Sequence, residues 1–273
     1  MTIGIDIGGT TIHFGLFNGS GLVGKHTVPS FGQGWSLQRT LDYLLEETAR
    51  VFNDTVTGIG IGVPTLVDPA KGIVYQAANI PSWETVRLKE VVENRFSVPV
   101  SVNNDSNCFA LGAAASLEKQ YRVLAGVTLG TGLGVGVVLD GRLYDGPHCG
   151  VGEIGALPYE GLDYEAFCSK KFFHARGVDP MGAAEAAKAG DREALELFRE
   201  FGVHLGTFLS VVMFAYDPDC IVLGGGIAHS FPLFKDSMWD TLREKYPYRK
   251  NLEDLSILAM PEEEIALVGA ASL

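Results

Sequence analysis

Positive charge is scarce in this sequence. Its 273 residues include 21 Lys and Arg against 33 Asp and Glu, which gives a formal net charge of −12 at pH 7. An acidic chain without a Lys- or Arg-rich run repels nucleic acid backbones and anionic lipid surfaces. We therefore expect neither nucleic acid nor a membrane as a partner. An anionic small ligand would have to be held by local backbone amides or by a metal ion.

Secretion signals, long apolar runs and paired cysteines are also missing. The first residues, MTIGID, lack the basic region and apolar run of a signal peptide, and no apolar stretch of about 18 residues predicts a membrane span. The cysteines follow no paired spacing, which is typical of reduced thiols in the cytoplasm. They are Cys108, Cys149, Cys168 and Cys220. The spacing of His148, Cys149, Cys168 and His174 is too irregular to predict a zinc site.

Glycine is abundant, with 34 residues, and it is clustered. Residues 4–10 (GIDIGGT) match residues 126–132 (GVTLGTG), and the same offset of 122 sets residues 16–19 (LFNG) on residues 138–141 (VLDG). Each copy predicts a strand, a small-residue turn, a second strand and an Asn-Gly or Asp-Gly turn. The alternative is two unrelated glycine hairpins, since turn chemistry alone reproduces part of the match. If the unit is duplicated, the backbone N–H groups of two such turns can hold one phosphate chain from both sides.

Strands alternate with helices through the rest of the chain, which predicts an α/β fold with mixed sheets. Strands are predicted at residues 56–63, 98–102 and 220–223, and one long helical tract at residues 180–216. We predict two similar domains with a cleft between them. The smaller consists of residues 1–104 with 260–273, whose last helix returns to it, and the larger of residues 105–259.

Polar residues stand where apolar strands end. Asp6 lies in an apolar strand just before a glycine turn, so it either supports Mg²⁺ beside a phosphate or caps the turn. Asn104 and Asp105 lie between a strand and an Ala-rich helix, where one such residue would suffice as a helix cap. Ligands of α/β folds bind at the carboxyl ends of strands, so Asp105 is a candidate base for a hydroxyl proton. The triple glycine at residues 224–226 follows another strand, and a simple turn would explain it equally well.

Two glutamates are candidates for binding sugar hydroxyls. Glu153 lies in a glycine-rich apolar loop without another charge, where a solvated surface acid is not expected. Glu165 is more ambiguous, because an exposed helix acid is the commoner explanation.

Together these motifs resemble the ROK family (repressors, uncharacterised frames, sugar kinases) of the actin-like/hexokinase ATPase superfamily. The resemblance covers nearly the whole chain, and several motifs in the right order are more specific than any one. In chain order they are DIGGT (6–10), GVPT (62–65), NIPSW (79–83), ND (104–105), the turn at residues 128–136, GEIG (152–155) and LGGG (223–226).

The resemblance implies two actin-like, ribonuclease-H-like domains and an ATP-dependent sugar kinase. Asp105 would be the catalytic base that takes the proton of a sugar hydroxyl, usually that on carbon 6, and Asp6 would organise Mg²⁺, directly or through water. Residues implied in sugar binding are Asn104, Asn79, Thr65, Glu153 and Glu165. Residues implied in nucleotide binding are Asp6, Gly8, Gly9, Thr10, Thr11, Gly130, Thr131, Gly132, Gly225 and Gly226. Relatives of this kind are often homodimers.

The sequence departs from the family pattern at a few positions. Ala156 replaces the usual His after Glu-x-Gly, and the family's cysteine cluster is absent between Ala156 and Glu165. We therefore expect no structural zinc, and a glycoside or an N-acetylated hexose becomes a credible substrate beside glucose. Thr11 and Thr65 replace the usual Lys and Gly, and neither change touches the core chemistry.

Two other functions are compatible with parts of this pattern. The first is a non-catalytic sugar sensor or repressor. A DNA-binding helix-turn-helix would have to precede Asp6, where this sequence has no room for one, and the acidic charge opposes DNA. The second is an actin- or chaperone-like ATPase without a sugar, which the polar residues around Asp105 and Glu153 argue against.

Overall fold

The computed structural model describes residues 1–77, 79–147 and 150–273. The chain forms two compact units. Unit 1 contains Met1–Glu118, Leu143–Gly150 and Glu263–Leu273, and unit 2 contains Lys119–Arg142 and Val151–Glu262. The α/β class and the two mixed sheets that the sequence predicts are confirmed. The domain boundary at residues 104 and 105 stays a prediction.

The strands of unit 1 are β1 (Thr2–Ile7), β2 (Thr11–Asn18), β3 (Gly21–Pro29), β4 (Gly58–Val63), β5 (Val67–Asp68), β6 (Ile73–Tyr75), β7 (Thr85–Val86) and β8 (Val100–Asn104). The remaining strands are β9 (Val123–Leu129), β10 (Leu133–Leu139), β11 (Arg142–Leu143), β12 (Pro158–Tyr159), β13 (Leu162–Asp163), β14 (Cys220–Gly224) and β15 (Ser256–Ala259). The helices in chain order are α1 (Leu37–Val51), α2 (Leu88–Phe96), α3 (Asp105–Ser116), α4 (Tyr164–Cys168), α5 (Lys170–His174), α6 (Pro180–Lys188), α7 (Arg192–Tyr216), α8 (Phe231–Lys245), α9 (Arg249–Glu253) and α10 (Glu264–Ala271).

The two large sheets have the same topology. One has the order β3-β2-β1-β4-β8 and the other the order β11-β10-β9-β14-β15. In each, the first hairpin pairs antiparallel, and the two later strands join parallel to its first strand. Gly4 pairs with Gly15 and Gly126 with Gly136, so in each hairpin a glycine of the first strand faces a glycine of the second. The repeat is therefore one structural unit used twice.

Each unit has its own apolar core. In unit 1 the isoleucines of β1 and the aromatic rings of Phe14 and Trp83 are fully buried or nearly so. In unit 2 the core is rich in phenylalanine, and its buried rings are Phe172, Phe173, Phe198, Phe201, Phe208 and Phe234. Burial of such large side chains is the main stabilising contribution in either unit, at ~1.5–3 kcal/mol for each fully buried side chain.

Helix α10 packs on α3 in unit 1 at backbone-contact distance. A Cβ atom on Gly112 would lie 1.8 Å from the carbonyl oxygen of Ile265, and one on Gly269 would lie 1.7 Å from that of Cys108. Only glycine fits at these two positions, so the close approach of the last helix depends on both.

The predicted helical tract at residues 180–216 is two helices rather than one. Gly190, between α6 and α7, has a φ of +91°, a conformation that glycine adopts without strain. Asp191 then caps α7, and its side chain accepts a hydrogen bond from the backbone N–H of Ala194 at 2.8 Å. The tract is therefore helical on both sides of this Gly-Asp pair, which ends one helix and begins the next.

Helix α7 is long and apolar enough to cross a membrane by length and composition alone. The stretch of this helix without Asp, Glu, Lys or Arg runs from Phe201 to Tyr216 and is shorter than the about 18 residues expected of a membrane span. More than half of the most apolar part of this helix, 56%, is buried inside the structure. Such burial is typical of the core helix of a globular domain.

Candidate active site

Three parallel strands of unit 1 end at one edge of its sheet. In the register of the sheet, Asp6 on β1 lies beside Gly62 on β4, and Gly62 lies beside Asn103 on β8. Neighbouring strands are about 4.8 Å apart, so the backbones of Asp6 and Asn103 are about 10 Å apart. Gly62 puts no side chain into the gap. A Cβ atom there would lie 3.5 Å from the Cα of Asp105 and 3.2 Å from the Sγ of Cys108.

Asp105 is the first residue of α3, directly after β8. The side chain of Asn104 caps this helix, accepting hydrogen bonds from the backbone N–H of Ser106 at 2.9 Å and of Asn107 at 3.3 Å. Oδ1 of Asp105 accepts from the same N–H of Ser106 at 2.7 Å and from its hydroxyl at 3.3 Å. The carboxylate is thus half-buried at the positive end of a helix and oriented by local hydrogen bonds.

Asp6 is partly buried at the same edge of the sheet. Loss of solvation, and then the negative charges of Asp105 and Glu263, raise the pKa of Asp6 from its ordinary value of 3.8 to about 7. Asp6 also lies opposite the buried His13 across the β1–β2 hairpin, a neighbour that the sequence did not reveal. Two carboxylates that repel one another are hard oxygen donors of the kind that Mg²⁺ prefers, so this donor set fits the metal.

The first glycine turn, residues 8–11, begins directly after β1, the strand that carries Asp6. The backbone N–H of Gly8 donates to the carbonyl of Thr11 at 2.9 Å, and a Cβ atom on Gly8 would lie at that distance from the same oxygen. Ser30, the residue after β3, holds the turn. Its hydroxyl donates to the carbonyl of Gly8 and its N–H donates to the carbonyl of Thr10, both at 2.8 Å. Gly9 and Thr10 form the exposed tip, so their backbone is accessible to an anion.

The sugar-binding candidates of unit 1 fall into two places. The side-chain amide of Asn104 donates to the carbonyl of Thr65 at 3.2 Å, and the hydroxyl of Thr65 donates to the carbonyl of Tyr75 at 2.7 Å. The structure therefore joins Asn104 and Thr65 directly. Asn79 is exposed, and its amide nitrogen lies 3.8 Å from where a Cβ atom on Gly9 would stand, so Asn79 borders the turn instead.

A buried tryptophan fixes the loop that carries Asn79. Trp83 is 1% exposed, and its indole N–H donates to the hydroxyl of Thr40 on α1 at 2.7 Å. Its ring also packs on Phe31, with a centroid distance of 5.5 Å. Asn79 is therefore presented by a loop whose far end is anchored in the core.

The second glycine turn, residues 130–132, joins β9 to β10 in unit 2, and Thr131 is exposed at its tip. The N–H of Gly130 donates to the carbonyl of Gly132 at 3.1 Å. The carbonyl of Gly130 accepts a hydrogen bond from the N–H of Lys170 at 2.9 Å. Helix α5 therefore braces this turn through its backbone.

Glu165 on α4 lies against the same turn. Its Oε2 accepts from the N–H of Leu133 at 3.1 Å, and a Cβ atom on Gly132 would stand 2.6 Å from that oxygen. Its Oε1 pairs with the ammonium of Lys171 at 2.5 Å. Both oxygens of Glu165 therefore have protein partners. Sequence reasoning missed Lys171, although the adjacent lysines at 170 and 171, directly after the glutamate segment, could have signalled it.

Glu153 begins a short 3-10 helix, Glu153–Ala156, after Gly152 with a φ of +91°. The N–H of Gly152 donates to the hydroxyl of Tyr216 at 3.0 Å. Glu153 is exposed as a residue, yet partial burial of its carboxyl and then the charge of Glu165 raise its pKa. The two predicted glutamates thus belong to one electrostatic neighbourhood of unit 2.

The triple glycine follows β14 beside the second turn. Gly225 has a φ of +79°, and a Cβ atom there would lie 2.6 Å from the carbonyl oxygen of Leu129. Around a Cβ atom on Gly226 no other atom lies within 4 Å among the described residues. Gly225 is therefore needed for packing against the end of β9, whereas the space beside Gly226 is open.

The segment between Ala156 and Glu165 is a β12–β13 hairpin, and Ala156 itself is exposed. Residues 1–77, 79–147 and 150–273 contain no group of three or more His, Cys, Asp or Glu side chains placed to hold a metal ion. Cys168 is fully buried, and His148 and Cys149 lie outside the described residues. The expectation of no structural zinc stays a prediction.

The candidate residues divide between the units. Asp6, the first turn, Thr65, Asn79, Asn104 and Asp105 belong to unit 1, and the second turn, Glu153, Glu165, Gly225 and Gly226 belong to unit 2. Each unit therefore combines one glycine turn with polar residues at the ends of its strands or beside its turn.

Known proteins that are similar to this chain include sugar kinases. An N-acetyl-D-glucosamine kinase of Pectobacterium atrosepticum is 30% identical over 302 aligned residues, which cover 99% of this chain and 95% of the relative. The crystal structure of a ROK family glucokinase from Streptomyces griseus, in complex with glucose and AMPPNP, is 26% identical with a TM-score of 0.85, and the match covers 99% of this chain and 98% of that one.

A ROK family transcriptional regulator, homologous to the Escherichia coli MLC protein, shares the fold. Its TM-score is 0.87 at 21% identity, and the match covers 99% of this chain and 76% of the regulator. The model of the ROK family matches residues 2–273 of this chain. The chain belongs to the ROK family, as one of its sugar kinases.

Proposed function

We propose that this protein transfers the γ-phosphate of ATP to a hydroxyl of a hexose, most simply the 6-hydroxyl. One observation carries the proposal: in unit 1, Asp6, the first glycine turn and Asp105 at the start of α3 all lie at the carboxyl ends of parallel strands. This is the edge at which α/β folds bind their ligands.

Asp105 is the base in the proposed reaction. The sugar hydroxyl gives its proton to the Asp105 carboxylate, its oxygen bonds to the γ-phosphorus, and the bond from that phosphorus to the β-phosphate oxygen breaks. The products are a sugar phosphate and ADP. Because the transition state of phosphoryl transfer is loose, positioning contributes more than base strength. The hydrogen bonds from Ser106 and the cap formed by Asn104 supply that positioning.

The nucleotide would be held by backbone groups and a metal ion. The exposed tips at Gly9 and Thr131 offer backbone to the phosphates, Gly225 and Gly226 flank the nucleoside, and the carboxylate of Asp6 holds Mg²⁺. Bound Mg²⁺ neutralises phosphate charge and orients the chain of phosphates. In a chain of net charge −12 these local groups replace an attractive overall field.

The substrate class is a neutral hexose, and an N-acetylated hexose is the first choice within it. Groups that can bind sugar hydroxyls come from Asn104, Thr65, Asn79 and Glu153. The carboxylate of Glu165 is a further acceptor if it binds the sugar together with its partners Lys171 and Leu133. The exposed Ala156 leaves space for a substituent on the sugar. Support also comes from the Pectobacterium relative, which is an N-acetyl-D-glucosamine kinase. A cytoplasmic location, where ATP is available, and a homodimer are part of the proposal.

The test is ADP release by the purified protein with ATP, Mg²⁺ and a panel of glucose, N-acetylhexosamines and glycosides. We expect one class of sugar to stimulate ADP release. Asp105→Asn should lower kcat by about 10²–10⁴-fold, because a general base is lost while the shape stays. Asp54→Asn, on an exposed loop residue, is the matched control and should leave kcat unchanged.

The shared fold with a transcriptional regulator makes sugar sensing the second candidate. Sugar binding by calorimetry without any sugar-stimulated ADP release would favour it. Full activity of Asp105→Asn would contradict the role of the base.

A further inference from the structure

Lys171 carries a positive charge near the second glycine turn and has no role in the reaction proposed above. Its ammonium pairs with Oε1 of Glu165 at 2.5 Å, while Oε2 of the same carboxylate accepts from the N–H of Leu133 at 3.1 Å. The carboxylate of Glu165 therefore lies between the ammonium of Lys171 and the backbone at the end of the turn.

The backbone that carries Lys171 is fixed on both sides. The N–H of Lys170 donates to the carbonyl of Gly130 at 2.9 Å, and the hydroxyl of Ser169 caps α5 by accepting from the N–H of Lys171 at 3.2 Å. Phe172 and Phe173, which follow directly, are completely buried. The position of the Lys171 Cα relative to the turn is thus set by the fold rather than by the ion pair.

The side chain itself remains accessible. That of Lys171 is 56% exposed and that of Glu165 is 31% exposed. An ion pair at this exposure contributes little to stability, about 0–1 kcal/mol. Stability alone therefore gives a weak reason for a lysine at this position, whereas an exposed ammonium beside a phosphate-type turn has a direct chemical use.

We propose that Lys171 is a further nucleotide-binding residue, whose ammonium binds a phosphate group of ATP at the second turn and which Glu165 holds in place before the nucleotide arrives. The inference rests on the proposed function, because it takes a nucleoside triphosphate as the ligand of that turn. An ammonium binds phosphate as a point charge and can contact Glu165 and a phosphate oxygen together, since it has three donors.

The same geometry connects the two substrates. While Lys171 neutralises Glu165, it competes with a sugar hydroxyl for that carboxylate. A phosphate oxygen that shares the ammonium with Glu165 weakens the hold of Lys171 on Oε1, so that Oε1 can also accept a hydrogen bond from the sugar. Nucleotide and sugar should then strengthen each other's binding by the same factor, as linkage requires.

The experiment compares the affinities of AMPPNP and adenosine, measured by calorimetry on the full chain with Mg²⁺ and without sugar. Adenosine shares the nucleoside and lacks the phosphates. In Lys171→Gln we expect the Kd of AMPPNP to rise about tenfold and that of adenosine to stay unchanged. Lys171→Arg should restore most of the AMPPNP affinity because it keeps the charge. Lys188→Gln, on the exposed end of α6, is the matched control.

The outcomes separate the inference from the function on which it rests. An unchanged AMPPNP affinity of Lys171→Gln, with sugar-stimulated ADP release intact in the unmodified protein, overturns the inference alone. Equal losses for AMPPNP and adenosine also overturn it, since they indicate a structural role in α5. Absence of AMPPNP binding to the unmodified protein overturns the proposed function and this inference together.

Discussion

Asp6 allows a quantitative test of the site that needs no substrate. Its pKa is raised from 3.8 to about 7 in the folded protein. The difference is about three pH units, and each corresponds to about 1.4 kcal/mol, so ionised Asp6 costs the folded state ~4 kcal/mol. Domains are typically stable by about 5–15 kcal/mol, so a cost of this size is measurable.

The sign follows from proton binding. Between about pH 4 and pH 7 the folded protein keeps a proton on Asp6 that the unfolded chain releases. The free energy of unfolding should therefore fall as the pH rises through this window, and stay lowered above it. Asp6→Asn removes the titration. Its stability relative to the wild type should be least at pH 4 and should grow by up to ~4 kcal/mol at pH 8.

The assay is urea unfolding of both proteins at a series of pH values in the presence of a metal chelator, with Asp54→Asn as the control. A second series with saturating Mg²⁺ at pH 8 should stabilise the wild type and leave Asp6→Asn unchanged, because the ion relieves the repulsion between Asp6 and Asp105. Parallel pH profiles of Asp6→Asn and wild type would refute the burial and repulsion described for Asp6. Equal stabilisation of both proteins by Mg²⁺ would refute the metal assignment.

Three further predictions use other parts of the structure. Thr40→Val leaves the buried indole N–H of Trp83 without its acceptor and should cost about 1–3 kcal/mol of unfolding free energy in urea, whereas a loss below the error of the measurement would contradict the anchoring role of Trp83. Gly112→Ala places a methyl group 1.8 Å from the carbonyl oxygen of Ile265 and should lower Tm by several degrees or prevent folding; an unchanged Tm would mean that α10 shifts without cost. The raised pKa of Glu153 means that its carboxyl stays protonated to a higher pH than that of an ordinary glutamate. As the pH is lowered, the KM for sugar should therefore begin to rise at a higher pH than the titration of an ordinary glutamate would give. Glu153→Gln should flatten this acid limb of the pH profile.

The sequence predicts best what local chemistry determines. The two glycine hairpins were found from residues 4–10 and 126–132 because each turn is specified within a few residues, and the structure gives both the same strand order. The strand ahead of Asn104 and the helix after it were predicted for the same reason. The β5–β6–β7 sheet and the β12–β13 hairpin were not predicted, because strands of two or three residues are too short to show an alternation of apolar and polar residues.

Contacts between distant segments were beyond the sequence. Glu165 and Leu133 are 32 positions apart, and the predicted role of Glu165 gave no hint that its carboxylate braces the second turn. The environment of Asp6 depends likewise on Asp105 and Glu263, which come close only after the sheet and the last helix have formed. A sequence pattern can name such residues, but burial and charge around them follow from tertiary packing.

The two copies of the hairpin show how one constraint is met in two ways. At the offset of 122, Gly8 corresponds to Gly130, and the carbonyl of each is held by a hydrogen bond from outside its turn. In unit 1 the donor is the hydroxyl of Ser30, the residue after β3, at 2.8 Å. In unit 2 it is the backbone N–H of Lys170, at 2.9 Å.

The difference between the two donors has a consequence for charge. The hydroxyl of Ser30 fixes the first turn and adds no charge to it. Helix α5, which fixes the second turn through its backbone, also carries Lys171. The ammonium of Lys171 and the backbone N–H of Leu133, directly after the turn, contact the same carboxylate, that of Glu165. If both turns hold phosphate, unit 2, in which α5 fixes the turn, is therefore the unit that supplies the cation. Loss of the Lys171 ammonium should weaken phosphate binding and leave the turn in place, because the hydrogen bond to Gly130 comes from the backbone of α5.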